Sequence, residues 1–145
     1  MDAGYITALA ALAGAALGGF TSFATSWTTQ RAEMNAQRTA SSKSQRQKLY
    51  KAFIDGAAKV YGDALIHDNP ELSGLIDLHA LLSRMRILSS AAVIENATYV
   101  VRVITETYSK PNKTPAELEE MVENGSIDLL KGFSEACRQE LENES

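Results

Sequence analysis

The sequence predicts an all-α protein with an N-terminal transmembrane helix, a polar stalk and a cytoplasmic bundle of four to five helices. Three observations support this class. No charged side chain occurs from Ala3 to Gln30, and a stretch rich in Gln, Ser and Arg follows up to residue 48. From Leu49 onward, apolar residues recur at the period of an α-helix. We therefore expect a membrane anchor at 1–30, a basic stalk at 31–48 and a bundle at 49–145.

The uncharged segment has the length that a bilayer requires. The hydrocarbon core is about 30 Å thick, which takes roughly 20 helical residues. Tyr5 and Trp27 bracket the segment, separated by about 33 Å of helix at roughly 1.5 Å per residue. Because aromatic rings with a polar edge favour the membrane interfaces, we expect both to be interface anchors. The alternative is a buried helix of a globular domain, which is usually shorter and has a charged face.

Small residues recur every four positions along the predicted span. They are Ala10, Gly14, Gly18, Ser22 and Ser26. Small residues allow membrane helices to approach closely, and Gly14 and Gly18 form a GxxxG pair. We call these five positions the small-residue ridge and expect it to be a helix–helix interface. The alternative is that the segment serves only as a lipid anchor.

The charges after the span predict its orientation. Six basic residues follow, Arg31, Arg38, Lys43, Arg46, Lys48 and Lys51, against the single acid Glu33. Because Lys and Arg are retained on the cytoplasmic side, we expect a single-pass protein of the bacterial inner membrane, with a periplasmic N-terminus and a cytoplasmic C-terminal domain. The six basic side chains are predicted to contact anionic lipid headgroups. A cleaved signal peptide would need a basic start, which the sequence lacks.

Charge is distributed unevenly along the chain. Residues 31–60 hold seven Lys and Arg against two acids, whereas residues 61–145 hold seven against fifteen. Nucleic acid requires a basic face, so the acidic part argues against nucleic-acid binding. The only cysteine is Cys137, so no internal disulfide forms, which suits a reducing compartment.

The positions of the apolar residues predict the stalk and the first three helices of the bundle. Residues 31–48 are polar on every side, which predicts a helical stalk with a possible break at Thr39–Ser44, or else a disordered linker. The next helix ends at Asp68-Asn69-Pro70. The predicted inward residues of the second bundle helix are Leu72, Leu75, Ile76, His79, Leu82 and Met85. A third helix follows Ser89 or Ser90 as its N-cap.

Two shorter helices complete the bundle. Thr114, Pro115 and Glu117 form a capping-box pattern that starts a helix with Leu118, Met121 and Val122 inward. Asn124-Gly125 ends it, because Gly tolerates a left-handed backbone. Ser126 is the predicted cap of the last helix, whose buried stripe is Leu130, Phe133, Cys137 and Leu141.

The sequence contains no recognisable catalytic or cofactor motif. No P-loop, dinucleotide fingerprint, GxSxG or HExxH occurs. Asp63 and His67 share a helix face but are two ligands, and a structural zinc site wants four. His79 is expected to be a core histidine. We therefore predict a protein that is not an enzyme and that binds no cofactor or metal.

Three stretches give the chain a family resemblance. Residues 49–54 (LYKAFI), 81–86 (LLSRMR) and 133–138 (FSEACR) resemble a group of small uncharacterised bacterial single-pass membrane proteins. In that group, a Gly/Ala-rich transmembrane helix precedes a cytoplasmic helical domain. The resemblance implies the same architecture and a bacterial inner-membrane setting, and it brings no catalytic residues.

These features predict a membrane-anchored interaction protein, an accessory or scaffolding subunit of a membrane complex. Its expected partners are membrane lipids and either a second copy of itself or a larger integral membrane complex. The alternative is an oligomeric pore or a membrane-perturbing effector. A pore needs a polar face on the span, and only a partial one is formed by Thr7, Thr21, Thr25 and Thr28.

Overall fold

The computed structural model describes the backbone of residues 3–67, 69–70 and 72–143. Within those ranges, it describes the side chains of Ala11 and of residues 26 onward. The elements are α1 (Ala3–Ile66), α2 (Leu72–Leu88), α3 (Ala91–Tyr108), α4 (Pro115–Glu123) and α5 (Lys131–Asn143). No strand occurs in these ranges, so the predicted all-α class is confirmed.

The chain divides into two compact units, Met1–Ser42 and Lys43–Ser145. The described part of the first unit is helical, and its side chains from residue 26 to residue 41 are all exposed. The predicted stalk is therefore a helix without a break at Thr39–Ser44. The second unit begins at Lys43, before the predicted bundle start at Leu49.

Within the part of the chain whose side chains are described, no helix has a stretch long and apolar enough to cross a membrane. The predicted span falls mostly on positions 1–10 and 12–25, whose side chains lie outside the described residues.

The second unit is built around an aromatic and aliphatic core. Phe53 of α1 and Phe133 of α5 are fully buried, and their ring centroids lie 4.7 Å apart. Tyr50 meets Phe133 edge-on, with the centroids 6.0 Å apart. Tilted and edge-on rings add to the stabilisation that comes from burial of their area. Leu78 of α2 and Ile104 of α3, both with no exposed surface, extend the same core.

Helix α2 agrees with half of the prediction, because Leu82 and Met85 are buried and Leu75 packs against the core, as expected. Its buried residues are Leu78, Leu82 and Met85. The predicted inward residues Leu72, Ile76 and His79 are exposed instead. The reason is that α2 has apolar residues on two sides, so that its period alone does not identify the side that meets the core. The predicted core position of His79 was therefore wrong.

The chain between α3 and α5 confirms two local predictions and corrects two. Thr114 and Glu117 form the predicted capping box at the start of α4, and the bond from the Thr114 amide lowers the pKa of Glu117. Gly125 has φ +73°, as the predicted helix end requires. However, α4 has no buried residue, and Val122 is 61% exposed. Helix α5 begins at Lys131 rather than after Ser126.

We predict that the fragment 43–145 folds without the first unit. Its core residues all lie within this range, and amphipathic helices gain most of their stability from packing. The expected result is high helical content by circular dichroism and a single cooperative thermal transition. In this fragment, Phe53→Ala should lower the free energy of unfolding by about 3–5 kcal/mol, as expected for a buried aromatic residue.

A non-cooperative melt of the parent fragment would contradict this prediction, because it would mean that the core is completed only by residues outside the fragment. Val122→Ala is the control. This valine is 61% exposed, so its truncation should change the stability by less than about 0.5 kcal/mol.

Candidate functional site

Most of the small-residue ridge lies in the part of α1 for which only the backbone is described. Ala10, Gly14, Gly18 and Ser22 are on helical backbone, but their side chains and that of the predicted anchor Tyr5 lie outside the described residues. Ser26, the last ridge position, is exposed. Helical backbone through this segment is what the four-residue spacing requires to align the five positions on one side.

Trp27, near the end of the uncharged segment, forms a pair with Arg31, the first residue after it. Trp27 is 58% exposed, and the Arg31 guanidinium lies over its ring, 4.2 Å from the ring centroid. A cation over an indole face is attracted to the negative charge of the ring. The pair therefore presents an apolar ring and a charge side by side on one exposed surface.

The six predicted lipid-contacting residues do not share one environment. Arg31, Arg38, Lys48 and Lys51 are exposed, and Lys51 lies 3.5 Å from Asp55. Lys43 is half-buried. The Arg46 side chain is 17% exposed, with its guanidinium 3.9 Å from the Glu140 carboxylate. So little surface remains on Arg46 that its main interactions are within the second unit.

Glu140 is the centre of a polar cluster that joins three helices. Its carboxylate accepts a hydrogen bond from the hydroxyl of Tyr50 and another from the backbone amide of Ser90, and it pairs with Arg46. The Tyr50 hydroxyl also lies 2.8 Å from the Ser89 hydroxyl. We call Arg46, Tyr50, Ser89, Ser90 and Glu140 the Glu140 cluster.

The cluster acts as the cap of α3. Ser90 is the N-cap residue, but its own side chain makes no capping bond. The Glu140 carboxylate from α5 instead accepts a hydrogen bond from the backbone amide of Ser90, at the start of the helix, and puts a negative charge near the positive end of the helix dipole. Because the Glu140 side chain is only 9% exposed, its hydrogen bonds and the Arg46 charge offset the desolvation of the carboxylate.

The cluster does not activate a nucleophile. Burial, with a further contribution from the hydrogen bond to Glu140, raises the pKa of the Tyr50 phenol well above its ordinary value. Burial and the nearby Glu140 charge raise the pKa of the Cys137 thiol to about 12. Both groups are therefore protonated at neutral pH, whereas the reactive form of a cysteine is the thiolate.

Sequence reasoning did not identify this cluster. It placed Arg46 among the lipid-contacting residues and Tyr50 and Glu140 in no site. The available signal was weak: a glutamate three residues after the buried Cys137 and a helix start with serine as its cap. Neither feature reveals a contact between residues 50 positions apart in the chain.

The two histidines have separate surroundings. His67 Nδ1 lies 2.8 Å from Asp63, whose other carboxylate oxygen accepts a hydrogen bond from the Tyr108 hydroxyl at 2.6 Å. His79 Nδ1 lies 2.8 Å from the carbonyl oxygen of Leu75. Among the described residues, no three His, Cys, Asp or Glu side chains come together as a metal site.

The surface of the second unit has several grooves, among them two with volumes above 400 Å³. The groove between α1 and α2 has a volume of about 410 Å³, an apolar floor that includes Leu49 and Leu81, and two basic residues, Lys48 and Arg84. The groove between α1 and α5 has a volume of about 520 Å³ and contains charges of both signs. Mostly apolar grooves with a few charges are suited to binding rather than to chemistry.

The chain matches no known protein-family model, no curated protein and no solved structure.

We predict that Glu140→Ala destabilises the fragment 43–145 by about 2–3 kcal/mol, because a charged acceptor is lost and buried donors are left unsatisfied. Glu140→Gln keeps one acceptor and should have a smaller effect. The measurement is urea unfolding monitored by circular dichroism.

The control for this prediction is Glu142→Ala on the same helix. Glu142 and Arg138 are both about two-thirds exposed and 4.0 Å apart, and such surface pairs contribute little. Equal unfolding midpoints for Glu140→Ala and Glu142→Ala would show that the Glu140 cluster does not stabilise the bundle.

Proposed function

We propose that this protein is a membrane-anchored interaction protein, an accessory or scaffolding subunit of a membrane complex. In this proposal, the N-terminal part of α1 spans the inner membrane of a bacterium and associates through the small-residue ridge. The partner is a second copy of the chain or a larger integral membrane complex, and the helical second unit lies in the cytoplasm.

The observation that carries the proposal is the abrupt change of chemistry along α1. Its first 28 residues, from Ala3 to Gln30, include no charge, and the next residue begins a run of cations. An uncharged helical stretch of this length matches the hydrocarbon thickness of a bilayer. The cations that follow match the side of the membrane on which Lys and Arg are retained.

The Trp27–Arg31 pair supports the same placement. An indole ring favours the headgroup region, where its apolar body and its polar N–H are both accommodated. A guanidinium over that ring, 4.2 Å from its centroid, lies beside it where anionic headgroups would attract it.

Two exposed cations close to the end of the uncharged segment, Arg31 and Arg38, support a lipid contact on that side. Lys48 and Lys51 are also exposed, but they follow Arg31 by about 25–30 Å of unbroken helix, beyond the range over which the charge of a leaflet acts at physiological salt. Each cation near an anionic leaflet contributes about 1 kcal/mol of attraction, and the contribution decreases with salt. Arg46 is left out of this group because it pairs with Glu140.

A fusion experiment tests the membrane topology. We expect a reporter that is active only in the cytoplasm to be active when joined after Ser145, with the protein in the membrane fraction. A periplasmic reporter at the same end should be inactive. Periplasmic activity there, or recovery of the parent chain without membranes after carbonate extraction, would overturn the proposal.

We predict that Gly14→Ile and Gly18→Ile each abolish association within the membrane. In lipid there is no hydrophobic drive between helices, so association depends on close packing at small residues. The added bulk should separate the helices, while the higher apolarity favours insertion. The measurement is co-purification of differently tagged copies, or of a partner subunit, from detergent extracts with equal membrane levels.

The control for the ridge is Leu12→Ile. Position 12 lies off the ridge, about 120° around the helix from its centre at 100° per residue, and the exchange conserves volume. It should leave association unchanged. If both glycine variants associate as the parent does, the small residues have no role in association and the segment is only an anchor.

A further inference from the structure

Helix α2 exposes a second apolar stripe on the side that faces away from the core. Leu72, Ile76 and Ile87 are 67%, 59% and 82% exposed, although all three are large aliphatic residues. Ala80 and Ser83 lie between them along the helix and are also exposed. We call these five residues the α2 outer stripe. It covers about 22 Å of helix at roughly 1.5 Å per residue.

The stripe is a continuous face rather than a set of scattered residues. At 100° per residue, its five members fall within about 80° of the helix circumference, opposite Leu78, Leu82 and Met85. A helix that is apolar on both sides is normally covered on both sides. Only one side of α2, the side with its buried residues, packs on α3. The outer stripe is an exposed apolar patch, which is typical of a surface that binds another molecule.

Two opposite charges lie along one edge of the stripe. Asp77 and Arg84 are seven residues apart, close to two full turns, and so occupy the same flank of α2. Both are exposed. No ion pair of either residue is found within the described part of the chain. Seven residues of helix separate them too far for a pair with each other.

The arrangement is complementary to itself when one copy is reversed. If two copies of α2 lie side by side in opposite directions, with the centre of the contact beside Ala80, Leu72 comes opposite Ile87 of the other copy. Ile76 then comes opposite Ser83 of the other copy. The small Ala80 meets its own copy, which allows close approach of the two helices. Asp77 then lies within about 3 Å, measured along the axis, of the position of Arg84 in the other copy. A two-fold axis repeats this pairing, so that two identical ion pairs form.

Reversal is required because the parallel arrangement is repulsive. If two α2 helices ran in the same direction, the flank with Arg84 would face the flank with Arg86 of the other copy, and like charges would meet. In the reversed arrangement, Arg86 lies about 20 Å from its own copy along the axis. Like-charge contacts reject a wrong geometry more strongly than exposed pairs favour the right one.

We infer that the α2 outer stripe is an interface with a second copy of this chain, packed antiparallel about Ala80. A contact made by one helix from each copy falls in the size class of weak or transient interfaces. This inference does not depend on the membrane proposal, since all of the residues that carry it belong to the second unit.

Disulfide trapping in the full-length chain, purified in mild detergent, tests the contact. In a Cys137→Ala background, Ala80→Cys should form a covalent dimer under mild oxidation. The control Ala116→Cys replaces another exposed alanine, on α4, and should form about tenfold less. Dimer yields that are equal at the two positions would overturn the inference.

Two further cysteine variants test the direction of packing. Leu72→Cys and Ile87→Cys should cross-link efficiently when mixed with each other and poorly when oxidised alone. Efficient cross-linking of each variant with itself would show a parallel contact and overturn the proposal. Trapping of Ala80→Cys in cells to a different protein, without the homodimer, would do the same.

Exchanging the charges of Asp77 and Arg84 tests whether the two residues pair across the contact, because a purely hydrophobic contact would not respond to their sign. Asp77→Arg and Arg84→Asp should each lower the Ala80→Cys dimer yield by about tenfold, because each places two like-charge pairs in the interface. The chain that carries both exchanges should recover the yield to within about twofold. Glu95→Arg, an exposed reversal on α3, is the control and should have no effect. Failure of the double exchange to recover dimerisation would exclude the Asp77–Arg84 pairing.

Discussion

The arrangement of the second unit depends on the carboxylate of Glu140. It caps α3 at the backbone amide of Ser90, accepts the hydroxyl hydrogen of Tyr50 from α1 and faces the guanidinium of Arg46. Without it, the start of α3 would have no side-chain cap, because Ser90 does not provide one. Hydrophobic burial alone allows helices to slide and rotate, whereas a partly buried charge accepts only a few positions. The Glu140 cluster therefore fixes how α5 meets the rest of the unit.

Local patterns predicted much of this fold. The capping box at Thr114 and the left-handed Gly125 depend on neighbours in sequence, and both were confirmed. The start of α3 was also predicted, because a serine before an apolar helical pattern is a local signal, and Ser90 is its N-cap residue. The rotation of α2 was not predictable, since two apolar sides give the same period. The Glu140 cluster was missed because its residues belong to segments far apart in the chain.

The candidate sites differ in how much the sequence could indicate. Among the six cations after the uncharged segment, composition could not separate Arg46 from the others, because pairing with Glu140 depends on tertiary structure. The small-residue ridge needs only the four-residue spacing and a helical backbone. The α2 outer stripe could be identified only from the tertiary structure. Leu78, Leu82 and Met85 lie in the core, so Leu72, Ile76 and Ile87 remain exposed on the other side of the helix.

The two proposed contacts would work in different solvents and for different reasons. In lipid, large aliphatic residues have no preference for each other, so the ridge would act through close packing of Gly and Ser. In water, Leu and Ile gain free energy when they leave the solvent, so the α2 outer stripe would act through area. Each contact is small on its own. Helices anchored in one membrane run in the same direction, so the ridge would pair parallel helices, whereas the α2 outer stripe would pair reversed ones. The two contacts are therefore separate proposals, and neither one strengthens the other.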